Sequence, residues 1–167
     1  IRFQNNYEKW VAVIGTINNK PYEIFTGKAD DFYLPPWVEK GSVVKEKTKG
    51  AKSRYDFKFK DKQGYEIIVQ GLSRSFERTY WNYAKLISGV LRHGMPLNYV
   101  VNLINGLHVE GESINSWRRG VVRALKKFIP DGTKFVKTKC PNCEDPEGLI
   151  YKEGCLICKS CGFSECS

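Results

Sequence analysis

The sequence predicts an α+β fold: an antiparallel sheet covered by about three helices, followed by a small zinc-ribbon-like cysteine tail. Three observations predict it. Apolar and polar residues alternate in short runs over the first 70 residues, which is the period of strands. The apolar spacing then becomes three and four, which is the period of helices. All six cysteines of the 167-residue chain lie at its end. We therefore divide the chain into an accessory domain (1–130), a linker (131–135) and a tail (136–167).

Two hairpins are predicted in the strand-rich part. The turn residues Asn18–Lys20 join the first pair of strands, and Asp61–Gly64 join the second pair. The predicted strands are 9–15, 21–27, 55–60 and 65–70. Two adjacent prolines predict a loop over 32–37, and a Lys/Gly-rich composition predicts a mobile connection over 45–54.

Three helices should follow, because the apolar residues recur on one face of each. The first has Ser73 as a plausible N-cap and ends near Gly94; the second covers 96–104. The third begins near Ser113 and ends at Pro130. The apolar face of the first helix holds Phe76, Tyr80, Tyr83, Ile87 and Val90, and that of the third holds Trp117, Val121, Leu125 and Phe128.

Composition restricts the function classes. Hydrophobic residues make up 41% of the chain, which allows a packed core, and the formal net charge is +9. No apolar run is long enough for a membrane span, and the start resembles no signal peptide. The chain lacks an initiator methionine, so we expect a processed protein or a piece of a longer one. Crowding of the cysteines at one end indicates metal or redox chemistry in a reducing compartment, and hence a cytoplasmic location.

The cysteine spacing is the strongest chemical signal. Two C-x2-C pairs can place four thiolates at the corners of a tetrahedron, which suits Zn²⁺. Two registers are possible. In the first, Cys140, Cys143, Cys155 and Cys158 bind the metal, leaving a C-x4-C pair, Cys161 and Cys166, near the end. In the second, Cys158 and Cys161 form the second pair, because Cys161-Gly162 looks like a ribbon turn. We favour the first register, since a free dithiol on a mobile end can carry reducing equivalents.

Two parts of the chain resemble the C-terminal region of adenosylcobalamin-dependent (class II) ribonucleotide reductases. One is the tail from Lys139 to Cys166. The other is the domain before it, in the segments 10–27 (WVAVIGTINNKPYEIFTG) and 80–105 (YWNYAKLISGVLRHGMPLNYVVNLIN).

The resemblance implies a role in the reduction of ribonucleotides to deoxyribonucleotides. In that family a C-terminal cysteine pair re-reduces the active-site disulfide and is reduced in turn by a thioredoxin- or glutaredoxin-type protein. Carried over, Cys161 and Cys166 would be the shuttle pair, while Cys140, Cys143, Cys155 and Cys158 would hold zinc. The partner would be the catalytic portion of the reductase. Adenosylcobalamin is implied for the parent enzyme and is not bound by these residues.

Two other functions compete with this one. The positive charge and a four-cysteine site also suit a nucleic-acid-binding zinc-ribbon protein with a basic companion domain. However, the last 37 residues hold five Lys and six acidic residues, so the ribbon itself would attract phosphates poorly. A purely structural module that holds subunits together through its aromatic-rich domain is the third hypothesis.

Overall fold

Nine strands form three antiparallel three-stranded sheets in the described part of the chain. The computed structural model describes residues 1–32, 34–47, 50, 53–72, 77–108, 113–135 and 138–166. The predicted α+β class with a cysteine-bearing tail is confirmed. The strands of the body, however, divide into two sheets where one was expected.

The first sheet contains β1 (Arg2–Asn5), β2 (Glu8–Ile17) and β3 (Lys20–Lys28) in that order. Strands β2 and β3 are the predicted first hairpin. Asn18 and Asn19 both have positive φ, of 51° and 61°, which is the geometry that a two-residue hairpin turn requires. Strand β1 was not predicted.

A short helix, α1 (Ala29–Phe32), leads to the second sheet. This sheet contains β4 (Ser42–Glu46), β5 (Arg54–Lys60) and β6 (Glu66–Val69). Strands β5 and β6 are the predicted second hairpin. Strand β4 overlaps the segment that was expected to be a mobile connection, and residues 48, 49, 51 and 52 of that segment lie outside the described residues.

The helices are α2 (Arg78–Arg92), α3 (Leu97–Asn105) and α4 (Trp117–Lys126). The expected N-cap Ser73 and first apolar residue Phe76 of α2 lie outside the described residues. The cap of α4 is Ser116, whose side chain accepts a hydrogen bond from the Arg119 N–H; this is three residues after the expected start. None of the helices in the described part of the chain is sufficiently long and apolar to cross a bilayer.

Helix α4 is locked onto the first sheet by polar contacts inside an apolar core. The indole N–H of the fully buried Trp117 donates to Thr26 Oγ1 at 2.9 Å. Its backbone N–H donates to Asn5 Oδ1 at 2.8 Å, a partner that the sequence places 112 positions away. Both buried polar groups therefore find partners, which avoids the cost of burying them unpaired.

The tail is a third sheet of β7 (Leu149–Lys152), β8 (Cys155–Cys158) and β9 (Ser164–Glu165). Residues 132–135, expected to be a linker, run beside β7 and hydrogen-bond to it: Phe135 N–H donates to Leu149 O at 3.0 Å, and Tyr151 N–H donates to Thr133 O at 2.9 Å. The buried residues of the tail belong to the same core cluster as α4. They are Cys140, Leu149, Tyr151, Leu156 and Cys158.

Candidate metal centre and redox pair

The first cysteine pair, Cys140 and Cys143, lies on a tight turn. Cys140 N–H donates to Asp145 O at 2.9 Å, and Glu144 N–H donates back to Cys140 O at 2.9 Å. Glu144 has a φ of 58°, so the chain reverses directly after the second cysteine. A backbone hydrogen bond from Asp145 also reaches the Cys143 sulfur. This turn directs both thiols to one side.

The segment Cys158–Phe163 repeats these interactions. Cys158 N–H donates to Phe163 O at 2.8 Å, and Gly162 N–H donates to Cys158 O at 3.0 Å. Gly162 has a φ of 75°, and a backbone hydrogen bond from Phe163 reaches the Cys161 sulfur. Each position matches its counterpart eighteen residues earlier, so the tail contains two equivalent knuckles.

The two knuckles bring four sulfurs together. The Sγ atoms of Cys140, Cys143, Cys158 and Cys161 all lie within 4.8 Å of one another. Cys140 Sγ is 3.6 Å from Cys161 Sγ, and Cys143 Sγ is 3.7 Å from Cys158 Sγ. With Zn–S bonds of about 2.3 Å, sulfurs at the corners of a tetrahedron lie roughly 3.8 Å apart. The four thiols can therefore hold a metal ion such as zinc.

This cluster differs from the expected ligand set at one position: Cys161 stands where Cys155 was expected. The reason is that Cys155–Cys158 is the extended strand β8, in which Cys155 pairs with Lys152 and Cys158 pairs with Leu149. Residues three apart in a strand point to opposite faces and are separated by about 10 Å. A C-x2-C pair in a strand cannot converge on one ion, whereas Cys158–Cys161 lies on a turn.

The two remaining cysteines form a disulfide, Cys155–Cys166, with a Cα–Cα distance of 4.4 Å. The β8–β9 register pairs Leu156 with Glu165, which places Cys155 and Cys166 opposite each other at the next step. The structure thus does not bring together the expected shuttle pair, Cys161 and Cys166. Cys161 belongs to the thiol cluster, and the partner of Cys166 is Cys155.

The pKa values of two neighbouring thiols of the cluster, Cys143 and Cys161, are shifted in opposite directions. Hydrogen bonds from Asn142 and from the Phe163 backbone lower the pKa of Cys161 to about 6. A backbone hydrogen bond from Asp145 lowers the pKa of Cys143, but burial and the neighbouring sulfurs outweigh it and raise that pKa to about 12. A charged thiolate and a protonated thiol side by side share one proton. A divalent cation bound by both sulfurs would displace that proton.

Asp145 and Gly148 support the cluster, and the spacing analysis missed both. The Asp145 carboxylate accepts hydrogen bonds from Ser160 Oγ and from Glu147 N–H, so it ties the first knuckle to the second. A Cβ on Gly148 would lie 2.7 Å from the Cys158 sulfur, so glycine alone fits there. The available signal was the run Asp145–Gly148, a turn sequence between the two cysteine pairs.

Tyr151 is an unusual member of the core because its hydroxyl is buried without a hydrogen-bond partner among the described residues. Burial raises the pKa of this phenol to about 12, so it stays protonated. The hydroxyl therefore remains an unused donor, and such a group costs about 1–3 kcal/mol relative to a satisfied one.

Tyr151→Phe is expected to keep or raise the free energy of unfolding in urea by up to about 1 kcal/mol, because it removes that unsatisfied group. Tyr7→Phe, at a fully exposed side chain, is the matched control and should have no effect. A loss of more than about 2 kcal/mol in Tyr151→Phe would mean that the hydroxyl is bonded in the folded protein.

The fold and the site together define an α+β domain that carries a four-thiol, zinc-ribbon-type tail. Residues 1–130 match the family described as the NrdJ homologue C-terminal domain, and the chain belongs to that family. NrdJ is the class II, adenosylcobalamin-dependent ribonucleotide reductase, so the chain is a ribonucleotide-reductase-related C-terminal region. The match ends at residue 130 and does not include the cysteine tail. No curated protein matches the chain, and no solved structure does.

Proposed function

We propose that this chain is the C-terminal accessory and redox-relay portion of a ribonucleotide reductase. Its tail would bind zinc and return electrons to the active-site disulfide of the catalytic portion. The observation that carries the proposal is a single disulfide, Cys155–Cys166, held beside a four-thiol cluster in a member of a reductase-related family. The relay role is assigned to Cys155 and Cys166 in place of the Cys161–Cys166 pair.

The division of labour among the six cysteines supports this assignment. Zinc bound by Cys140, Cys143, Cys158 and Cys161 would cross-link the tail and withdraw those four sulfurs from exchange. Cys166 is exposed, so a partner can approach its sulfur. In the reducing cytoplasm that we expect, a disulfide is usually catalytic or redox-sensing. A cycling pair fits that setting better than a structural one.

The relay is a balanced thiol–disulfide exchange. The Cys166 thiolate attacks the disulfide of the catalytic portion, forms a mixed disulfide and releases one thiolate. The Cys155 thiolate then attacks the Cys166 sulfur, forms the Cys155–Cys166 disulfide and releases the second thiolate. Two electrons pass to the catalytic portion, whose thiolates take up two protons. A thioredoxin- or glutaredoxin-type dithiol would reverse the oxidation of the tail.

No step proposed for this chain runs through adenosylcobalamin, which the resemblance assigns to the catalytic portion. The chain has no cysteine before Cys140, so the cysteines of the radical reaction must also belong to that portion. Deoxyribonucleotide synthesis would therefore need both parts, with the catalytic portion as the partner of this domain.

Cys155→Ser in the assembled reductase is the decisive variant. We expect turnover driven by thioredoxin to fall to background, because no disulfide can form with Cys166. Turnover driven by dithiothreitol should continue, because this small dithiol reaches the active site directly. The measurement is deoxyribonucleotide formation with each reductant in turn.

Two controls make the assay specific. Cys155→Ser should retain about one zinc per chain, because Cys155 is outside the thiol cluster, whereas Cys161→Ser should lose it. If Cys155→Ser keeps full thioredoxin-driven turnover, the relay pair is not Cys155–Cys166. If, as a separate outcome, Cys155→Ser loses its zinc, then Cys155 is a ligand and the set Cys140, Cys143, Cys158 and Cys161 is wrong.

A further inference from the structure

A groove of about 490 Å³ runs between α4 and the tail and has Cys166, one half of the disulfide, in its lining. Arg119, Arg123 and Lys126 line it from one side, at steps of four and three along α4, so they lie on one face of that helix. Glu165 and Cys166 line it from the tail. The volume is within the range of small-molecule sites, which is about 300–1,000 Å³.

The charge of this groove is predominantly positive. Arg119 and Arg123 are exposed, and Arg123 donates to the backbone carbonyl of Arg2 at 3.5 Å, a neutral partner. Burial lowers the pKa of Lys126, and nearby Glu165 opposes that shift. Among the described residues that line the groove, Glu165 is the one acidic side chain. An anion that enters the groove therefore meets an excess of cations.

Tyr151 is a further feature of the wall of this groove. It lines the same groove, its side chain is fully buried, and its hydroxyl has no hydrogen-bond partner among the described residues. Buried polar groups are normally satisfied, so this residue leaves one unused donor in the wall of the groove.

The disulfide is asymmetric with respect to this groove. Cys166 is exposed and lines it, whereas Cys155 is half-buried and does not. A thiolate that approaches through the groove therefore meets the sulfur of Cys166 first, and Cys155 becomes the leaving group.

We propose that the groove between α4 and the tail binds a small thiol bearing carboxylates and directs its sulfur to Cys166. This inference rests on the redox role proposed above and adds a small-molecule reductant of stated chemical class to the thioredoxin- or glutaredoxin-type dithiol. Arg119 and Arg123 would hold the carboxylates, so the groove discriminates in favour of anionic thiols.

The exchange balances as follows. The incoming thiolate attacks the Cys166 sulfur, breaks the bond to Cys155 and leaves a mixed disulfide on Cys166 and a thiolate on Cys155. A second molecule of the thiol then attacks the sulfur that the first molecule contributed to the mixed disulfide. The small disulfide departs, and Cys166 is released as a thiolate. Two thiols are oxidised, the protein disulfide gains two electrons, and the protons lost by the thiols pass to Cys155 and Cys166.

The test uses the full chain with the disulfide formed and zinc added. The disulfide is reduced by anionic 3-mercaptopropionate or by neutral 2-mercaptoethanol, and alkylation with peptide mass spectrometry measures the rate of this reduction. Each rate constant is expressed per thiolate. It is then divided by the rate constant of the same thiol with the small neutral 2-hydroxyethyl disulfide, which removes the difference in intrinsic nucleophilicity between the two thiols. The double variant Arg119→Gln/Arg123→Gln on α4 is compared with the control Arg78→Gln/Lys85→Gln, which removes two exposed charges from α2. The two double variants therefore have equal net charge.

We expect the anionic thiol to be preferred by about five-fold in the wild type and in the α2 control. The preference should disappear in the α4 variant and shrink in high salt. The quenched mixed disulfide should be on Cys166. Equal preference in the two double variants, or a mixed disulfide on Cys155, would overturn the proposal.

These outcomes are separable from those of the relay assay. If charge preference is absent while Cys155→Ser still abolishes thioredoxin-driven turnover, the relay stands and the groove has no role in it. If charge preference is present while Cys155→Ser turns over normally, the groove binds anionic thiols but serves another reaction.

Discussion

Cys158→Ser is expected to abolish metal binding and to release the tail from the body. Cys158 is almost fully buried and is a member of both the thiol cluster and the core. Structural zinc contributes on the order of 10 kcal/mol of apparent binding free energy, and in such small units this is folding free energy. The tail has few apolar residues of its own with which to replace it. Bound zinc should fall from about one per chain to near zero.

Metal analysis and limited proteolysis measure this result. Cleavage in Cys158→Ser should concentrate at residues 138–166, and a chelator added to the wild type should reproduce the pattern. The body should remain folded, because most of its buried residues pack between the first sheet and the helices. Cys155→Ser, at the same strand but outside the cluster, is the matched control and should keep its zinc. Full zinc content in Cys158→Ser would exclude this residue as a ligand.

The choice between the two ligand registers shows what cysteine spacing can and cannot predict. Cys155, Cys158 and Cys161 are equally spaced, so the sequence contains two overlapping C-x2-C pairs. Their difference lies in the backbone: the first pair is in a strand and the second is on a turn. The turn had a local signal, Gly162, whose φ of 75° suits glycine. The strand also had one, because Gly154, with a φ of 77°, lies in the two-residue turn that joins β7 to β8. Both readings therefore had a turn glycine in their favour, and only the pairing of β8 with β7 decides between them.

The same distinction explains the fold. Both hairpins and the helices were predictable, because periodicity and turn residues are local signals. Strand β1 is four residues long, and its buried residues Phe3 and Asn5 contact α4, more than a hundred positions away. Residues 132–135 resembled a linker because Asp131–Lys134 is polar, yet hydrogen bonds to β7 order them. Contacts of this kind are tertiary, and single-sequence patterns do not contain them.

Gly120→Ala is expected to lower the free energy of unfolding by about 3 kcal/mol, although alanine is the better helix former. Gly120 is on the face of α4 that meets β1, and a Cβ there would overlap the ring of Phe3. The clash involves Cγ of Phe3 and the Cδ2–Cε2 edge of its ring, so it reaches the atom that joins the ring to the rest of the side chain and is not confined to a flexible end. Helix α4 would have to move away from the first sheet.

Gly89→Ala in α2 is the matched control, because a Cβ at that position has nothing within 4 Å. It should stabilise the protein by up to about 1 kcal/mol through the lower backbone entropy of alanine. Urea unfolding of both variants measures the contrast, and equal effects would show that α4 does not approach β1 closely enough for a Cβ on Gly120 to meet Phe3. The contrast also bears on function. Arg119 and Arg123 flank Gly120 on α4, so a displaced helix should weaken the discrimination between anionic and neutral thiols in Gly120→Ala and leave it intact in Gly89→Ala.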